Sequence, residues 1–334
     1  MFGIPVEILF VLGLVLAAEF VNGWTDAPNA IATVVSTRVL RPTTALLMAA
    51  VFNVLGALSG TAVANTIGKG IVDAEVINVQ TVGAAMIGIV AWSTLAWYWG
   101  LPTSESHALV SGLTGAALAT AGPSAVLMSG WNKVFVGLLF STFLGFGGGL
   151  LLMTLVYRFG HKRSRQKMNR LFPKLQILSS MFMAFSHGSN DGQKFIGAFT
   201  LVLLLGGLIP TFHVQLWVIL LCAILMGLGT ATGGWRIIRT MGLRMTKLEP
   251  MHGFAAETGA ALTIELATRL GVPLSTTHTI NTAIMGVGAT RRLSAVRWGV
   301  TRTIAIAWLL TFPVCGLISY LVTKAFMWVS PTGN

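Results

Sequence analysis

Apolar residues run almost unbroken over 8–21, 43–64, 134–157 and 300–322, reaching or approaching the roughly 20 residues that cross a bilayer as helix. Taken with shorter apolar stretches, they predict ten crossings, five in each half. The first five are 5–38, 43–64, 76–100, 103–121 and 131–157, and the second five are 175–208, 213–231, 250–271, 275–290 and 299–328. The first crossing of each half is expected to be broken, at Asn22-Gly23 followed by Pro28 and at His187-Gly188-Ser189-Asn190. The segments 103–121 and 275–290 are short for a full span and read equally well as hairpin-like, re-entrant pieces, so the expectation is an all-α polytopic membrane protein of about 10 to 12 membrane segments.

Composition agrees: 54% of residues are hydrophobic and only 10% charged, against about 25% charged in soluble domains. The first Lys or Arg is Arg38 and no small-residue cleavage site follows the first apolar run, so that run reads as a retained helix and not as a signal peptide. Cys222 and Cys315 each sit inside an apolar run, where a free thiol behaves as a small hydrophobe. No disulfide, cofactor or metal pattern is present.

The net charge of +12 raises nucleic acid as a partner, and its placement argues against that. With ten crossings and both termini outside, Lys69, Lys133, Arg269 and Lys324 fall outside, Lys194 falls within a crossing, and every other Lys and Arg falls on the inner side. That asymmetry is what the positive-inside rule predicts, with anionic lipid as a secondary contact. The expected location is the inner (plasma) membrane.

Two landmarks recur at nearly the same offset. Asn22-Gly23-Trp24-Thr25-Asp26-Ala27-Pro28-Asn29 is echoed by His187-Gly188-Ser189-Asn190-Asp191-Gly192-Gln193-Lys194, and Pro102-Thr103-Ser104-Glu105-Ser106-His107 by Pro273-Leu274-Ser275-Thr276-Thr277-His278. An odd number of crossings per half turns the second half upside down relative to the first, the inverted-repeat layout of secondary transporters. The organisation expected is membrane repeat 1 over 1–157, a short basic cytoplasmic linker over 158–173, and inverted membrane repeat 2 over 174–330.

Asp26 and Asp191 would each cost roughly 2.5 to 3.5 kcal/mol at a helix centre, which is usually retained for coupling ions or protons; the plainer reading is a carboxylate capping its own broken helix. An unwound segment offers carbonyls to cations, and the half-helix restarting after it offers N–H groups to anions. Thr103, Ser104 and Ser106 after Pro102, and Ser275, Thr276 and Thr277 after Pro273, are each taken singly ordinary N-capping residues. As a related pair they suggest an oxyanion cradle of hydroxyl and N–H donors. His107 and His278, three residues beyond Ser104 and Ser275, are struts or else candidates for gating or proton relay. Glu257 is a further acidic candidate, paired with His278 or a cation. Glu19 and Glu265 read as interhelical hydrogen-bond residues, and the glycines at 145–149 as helix-packing contacts.

At these residues the chain resembles the inorganic phosphate transporter (PiT) family, short bacterial type, whose duplicated motif reads Gly-Ala-Asn-Asp-x-x-Asn. That motif is met as Gly23-Trp24-Thr25-Asp26-Ala27-Pro28-Asn29 and Gly188-Ser189-Asn190-Asp191-Gly192-Gln193-Lys194; the Ser-rich motifs match over Pro102 to His107 and Ser275 to His278. The resemblance implies a secondary active transporter importing inorganic phosphate, as free anion or metal–phosphate complex, by cation symport through alternating access in a membrane-embedded homodimer. By matching position Asp26, Asn29, Asp191 and Asn190, with Asn22, Lys194 and Glu257, would serve the coupling cation or proton. Thr103, Ser104, Ser106, Ser275, Thr276 and Thr277 would hold phosphate, leaving Glu105, His107 and His278 for gating or relay.

Three positions depart from the family pattern: Thr25 for Asn, Lys194 for the final Asn, and Glu105 for the middle Ser. An ammonium at Lys194 can pair with Asp191 or substrate where another member would use Asn to hold sodium, and proton-coupled bacterial members carry the same Asp-Gly-Gln-Lys run, so H+ is expected ahead of Na+. The rivals are sulfate as cargo, a passive anion pore, and an intramembrane metallo- or serine hydrolase. The hydrolase is disfavoured because no His-Glu-x-x-His or Gly-x-Ser-x-Gly occurs and no His has a His or Glu four residues on.

Overall fold

The computed structural model describes residues 3–160 and 164–329; Lys162 and Arg163 of the expected basic linker lie outside the described residues. The first half contains α1 (Val6–Ser36), α2 (Pro42–Ala57), α3 (Ala62–Gly70), α4 (Val79–Trp99), α5 (Glu105–Ala121) and α6 (Met128–Leu139), which continues through a π turn over Phe140–Leu144 into α7 (Gly145–Gly160). The second contains α8 (Arg165–His187), a π turn over Gly188–Gly192, α9 (Gln193–Leu205), α10 (Leu216–Thr232), α11 (Trp235–Arg239), α12 (Pro250–Arg269), α13 (Thr276–Ala289) and α14 (Trp298–Val329). Among the described residues the only β pairing is an isolated bridge, Val72 to Val126.

Among the described residues four helices are long and apolar enough to cross a membrane: α1, α4, α6 joined to α7, and α14. The bent pairs α2 with α3 (70°) and α10 with α11 (60°) raise the number to six. By length and apolarity this is fewer than the ten crossings expected, because α5 and α13 are short, α8 carries a polar first half, and α12 carries Glu257, Glu265 and Arg269. Basic residues expected in a linker instead occupy α8, which starts at Arg165 behind the cap Ser164 and runs through Pro173.

The two expected breaks are not unwound. α1 passes through Gly23 and Pro28 as one 31-residue helix. Proline leaves the carbonyl four residues back without its helical donor, here that of Trp24. The Gly234 backbone packs against this point, such that a Cβ at Gly234 would lie 2.9 Å from both the Trp24 oxygen and the Pro28 ring. Membrane helices tolerate such interruptions where neighbouring segments cover them. In the second motif one π turn over Gly188–Gly192 replaces the break, a form of bulge frequent at functional sites. The restarting half-helices are therefore α5 and α13, and no helix restarts at the aspartates.

Both follow the same local path. Gly100 (φ +69°) and Gly271 (φ +65°) end the preceding helix in the left-handed region, which glycine enters without a Cβ penalty. A short extended segment containing proline follows, and then Ser104 and Ser275 accept from the His107 and His278 backbone N–H at 3.3 and 3.1 Å.

Packing is reciprocal across the halves: α1 lies on α10 while α8 and its π turn lie on α2, and α5 lies on α14 while α13 lies on α7. Glycines allow the first two contacts. A Cβ at Gly23 would meet the Met226 carbonyl at 2.2 Å and one at Gly229 the Phe20 carbonyl at 2.1 Å; Gly56 and Gly188 stand in the same relation to Phe185 and Asn53. Gly188→Ala should cost about 1–3 kcal/mol through this overpacking, seen as a lowered melting midpoint; an unchanged midpoint would show that the π turn can shift freely.

Burial is reversed relative to a soluble domain. Leu309, Phe143 and Leu151 are 73%, 68% and 58% exposed, whereas Glu19, Asp26, Glu105, Asp191, Lys194 and Glu257 are 0–4% exposed. Two apolar cores hold the interior. α1 supplies Ile8 to Ala18 to one and Ala27 to Val34 to the other; Met183 and Ala184 of α8 and Phe195 to Leu203 of α9 are likewise split between them. The polar stretches around Asp26 and Asp191 fall where each long helix passes from one core to the next.

Candidate functional site

The site assembles where α1 and the π turn of the second half meet the starts of α5 and α13. Asp191 is its hub. Lys194, one turn along on α9, sets its ammonium on Asp191 Oδ1, Thr276 Oγ1 donates to Oδ2 at 2.7 Å, and His187 Nε2 lies 3.2 Å from that same oxygen. The ammonium also donates to the Ser106 hydroxyl and to the Leu274 carbonyl at 2.9 Å, and Ser106 Oγ donates to that carbonyl at 2.7 Å.

Asp26 stands on the other side of the Thr276-Thr277 pair. Thr277 Oγ1 approaches its carboxylate at 3.4 and 3.5 Å, while Asn29 Nδ2 donates to the hydroxyls of Thr276 and Thr277 at 3.2 and 3.0 Å. Seven of the sequence-derived residues thus meet in one buried network: Asp26, Asn29, Ser106, Asp191, Lys194, Thr276 and Thr277.

The remaining candidates sit elsewhere. Ser104 and Ser275 spend their oxygens as N-caps, the reading each carried when taken singly. Thr103 is buried in the extended segment before α5. Asn190 turns toward α12, donating to Thr268 Oγ1 at 2.8 Å and the Val272 carbonyl at 3.3 Å. Asn22 binds Glu19 within α1 at 3.0 Å, so the interhelical role expected of Glu19 becomes an intrahelical one. Glu265 does bridge helices, accepting from Ser189 at 2.8 Å.

Among the described residues Glu257 makes no hydrogen bond with His278. It accepts from Thr33, Ser179 and Gln176, bonds that knit α1, α8 and α12; three neutral donors close around it before any histidine can. Glu105 accepts from Ser93 at 2.7 Å and Thr25 at 2.9 Å, so two of the three positions that depart from the family motif are each other's partners. His107 and His278 meet edge to face at 4.6 Å, with Phe312 against His107 and Trp308 against His278 at 4.3 and 3.7 Å, an aromatic stack from α5 to α13 to α14.

His187 was absent from the sequence-derived set. Its Nδ1 lies 3.0 Å from Asn53 Oδ1, and Asn53 in turn donates to Thr230 at 2.9 Å. The available signal was its position four residues before Asp191, which places both on one helical face. Asp26, His187 and Asp191 offer ligand-type atoms within 4.8 Å of one another, with the Lys194 ammonium on the Asp191 oxygen opposite the one His187 approaches.

A profile of the Phosphate transporter family matches residues 22–319, and that span contains every residue of this network. The chain belongs to the phosphate transporter family. It is therefore an integral membrane transporter and not an enzyme. It is 44% identical to a protein of Rhizobium meliloti, a "Probable low-affinity inorganic phosphate transporter", over 93% of this chain and 94% of that protein. A Bacillus subtilis protein of the same description is 39% identical over 92% and 94%. Among solved structures, "The sodium-dependent phosphate transporter" superposes with a TM-score of 0.88 over 97% of this chain and 100% of that chain at 24% identity, a likeness of fold.

Proposed function

We propose that this transporter carries inorganic phosphate across the plasma membrane by symport with a cation, protons ahead of sodium, through alternating access of two inverted-topology halves. The observation that carries the proton preference is the position of Lys194. Its ammonium contacts a carboxylate, a backbone carbonyl and a hydroxyl, the set of oxygen ligands a hard metal cation prefers. A fixed positive charge in that place leaves less need for sodium there, and it leaves Asp26 as the carboxylate without a cationic partner among its hydrogen bonds.

Phosphate is favoured over sulfate by the family and its relatives, and by chemistry: protonated phosphate can donate a hydrogen bond to a carboxylate such as Asp26, which sulfate cannot. The hydroxyls of Ser106, Thr276 and Thr277 with the N–H groups at the start of α13 would hold the anion. The reciprocal packing of the halves and the matched glycine–proline–serine paths into α5 and α13 support two related halves turning about this site.

Reconstituted in proteoliposomes, the protein should accumulate labelled phosphate under a pH gradient in sodium-free buffer, with tenfold excess sulfate leaving the rate largely intact. Uptake that is absent until sodium is added would sink proton coupling; uptake suppressed by sulfate would move the cargo to that anion.

A further inference from the structure

At the opposite end of α13 from Thr276 and Thr277, about 21 Å away along the helix, a polar cavity of about 320 Å³ opens between the loops before α12 and after α13. Lys247, Arg291, Arg292 and Arg297 line it, and no carboxylate does among its lining residues. The side chains of Lys247, Arg292 and Arg297 are exposed and make no hydrogen bond or ion pair among the described residues.

The walls are built. Thr246 Oγ1 donates to the Ala295 carbonyl at 3.1 Å and Arg297 N–H to the Met245 carbonyl at 3.0 Å, tying one loop to the other. The Glu249 N–H donates to His252 Nδ1 at 3.0 Å, so Nε2 carries the hydrogen and donates to the Tyr157 hydroxyl at 3.2 Å. Arg291 Nε donates to that hydroxyl at 3.2 Å and its Nη2 lies 3.4 Å from Glu249. Arg291 is thereby held by α7 and α12, not left to wander.

Membrane topology alone would place cations at this end of the molecule, and the α13 dipole favours Arg291 and Arg292 after its last turn. Neither effect requires Lys247 and Arg297 to converge from other segments on the same cavity. The matching place in the first half, loops 71–78 and 122–127 joined by the Val72–Val126 bridge, contains Asp73 and Glu75 and no Lys or Arg.

We propose that this cavity binds a phosphate-class anion, either the headgroup of an anionic phospholipid or free inorganic phosphate, at a site separate from the central one. Bidentate arginine forks and a lysine suit phosphate oxygens, and the bound anion clamps both loops to the end of the helix whose other end carries Thr276 and Thr277.

The detergent-solubilised full chain would be titrated with inorganic phosphate, with dihexanoyl phosphatidylglycerol and, as neutral control, with dihexanoyl phosphatidylcholine, reading the melting midpoint. The variant K247Q/R292Q/R297Q should bind one of the two anionic probes at least tenfold more weakly than wild type while ignoring the neutral lipid. Loss confined to phosphatidylglycerol identifies a lipid headgroup, and loss of one of two classes of phosphate binding identifies the free anion; retention of the other class shows that the variant is folded. Should the triple variant not fold, R297Q alone, at an exposed position, should weaken the same probe about threefold. Superimposable curves for wild type and variant with both anionic probes overturn the proposal and leave these charges to topology alone.

Discussion

Replacing Lys194 by Met should abolish phosphate uptake and destabilise the protein by about 3–5 kcal/mol, the cost of leaving a buried charge without its partner. Lys194 is 1% exposed, as is Asp191, and its ammonium serves Asp191, Ser106 and Leu274 together. Its removal strands the aspartate between one hydroxyl and one imidazole. Removing both charges in Lys194→Met, Asp191→Leu should recover most of the stability, since apolar replacement of a whole buried pair is often neutral, but none of the transport. Thermal melting and proteoliposome uptake on the single and double variants check the two halves of this prediction. A single variant that transports normally would remove Lys194 from the site.

The second large effect is expected at Asp26. Its carboxylate is 4% exposed, and among the described residues it accepts the long Thr277 contacts and carries no ammonium, so it is the acidic group in the network free to take up a coupling proton. Asn matches a protonated carboxyl in shape and remains neutral. Asp26→Asn should therefore lose gradient-driven accumulation by at least a hundredfold, while exchange of internal for external labelled phosphate, which moves no net proton, continues. Accumulation at the wild-type level would refute the coupling role, and loss of exchange as well would make Asp26 a binding residue.

The two aspartates, so alike in sequence, differ because of this charge arrangement. Asp191 is answered by Lys194 and approached by His187, whereas Asp26 relies on threonine. A lysine three residues from an aspartate on a helical face announces such a pair, and that much was readable from the motif alone. That the same ammonium would reach Ser106 was not, because Ser106 belongs to the other half.

Several local features were legible because their causes lie within a few residues. The apolar runs, the serine caps at Ser104 and Ser275, and the polar stretches holding Asp26 and Asp191 follow from side-chain chemistry at short range. The supposed breaks failed for a related reason. Asn-Gly and Pro28 weaken an isolated helix, but Gly234 of a distant segment covers the weak point and the helix continues.

The partners of buried polar groups depended on how the helices cross. Glu257 is satisfied by Thr33, Ser179 and Gln176 from two other helices; Thr25 reaches Glu105 from 80 residues away, and Thr277 reaches Asp26 from 251. Nothing within either neighbourhood selects these pairings. By itself the sequence determined an all-helical membrane chain with two acidic motifs and two serine-started helices, since hydropathy, capping and motif spacing are local quantities. Only the tertiary structure decided which hydroxyl meets which carboxylate, because a buried polar group takes whichever donors the packing of distant helices brings to it.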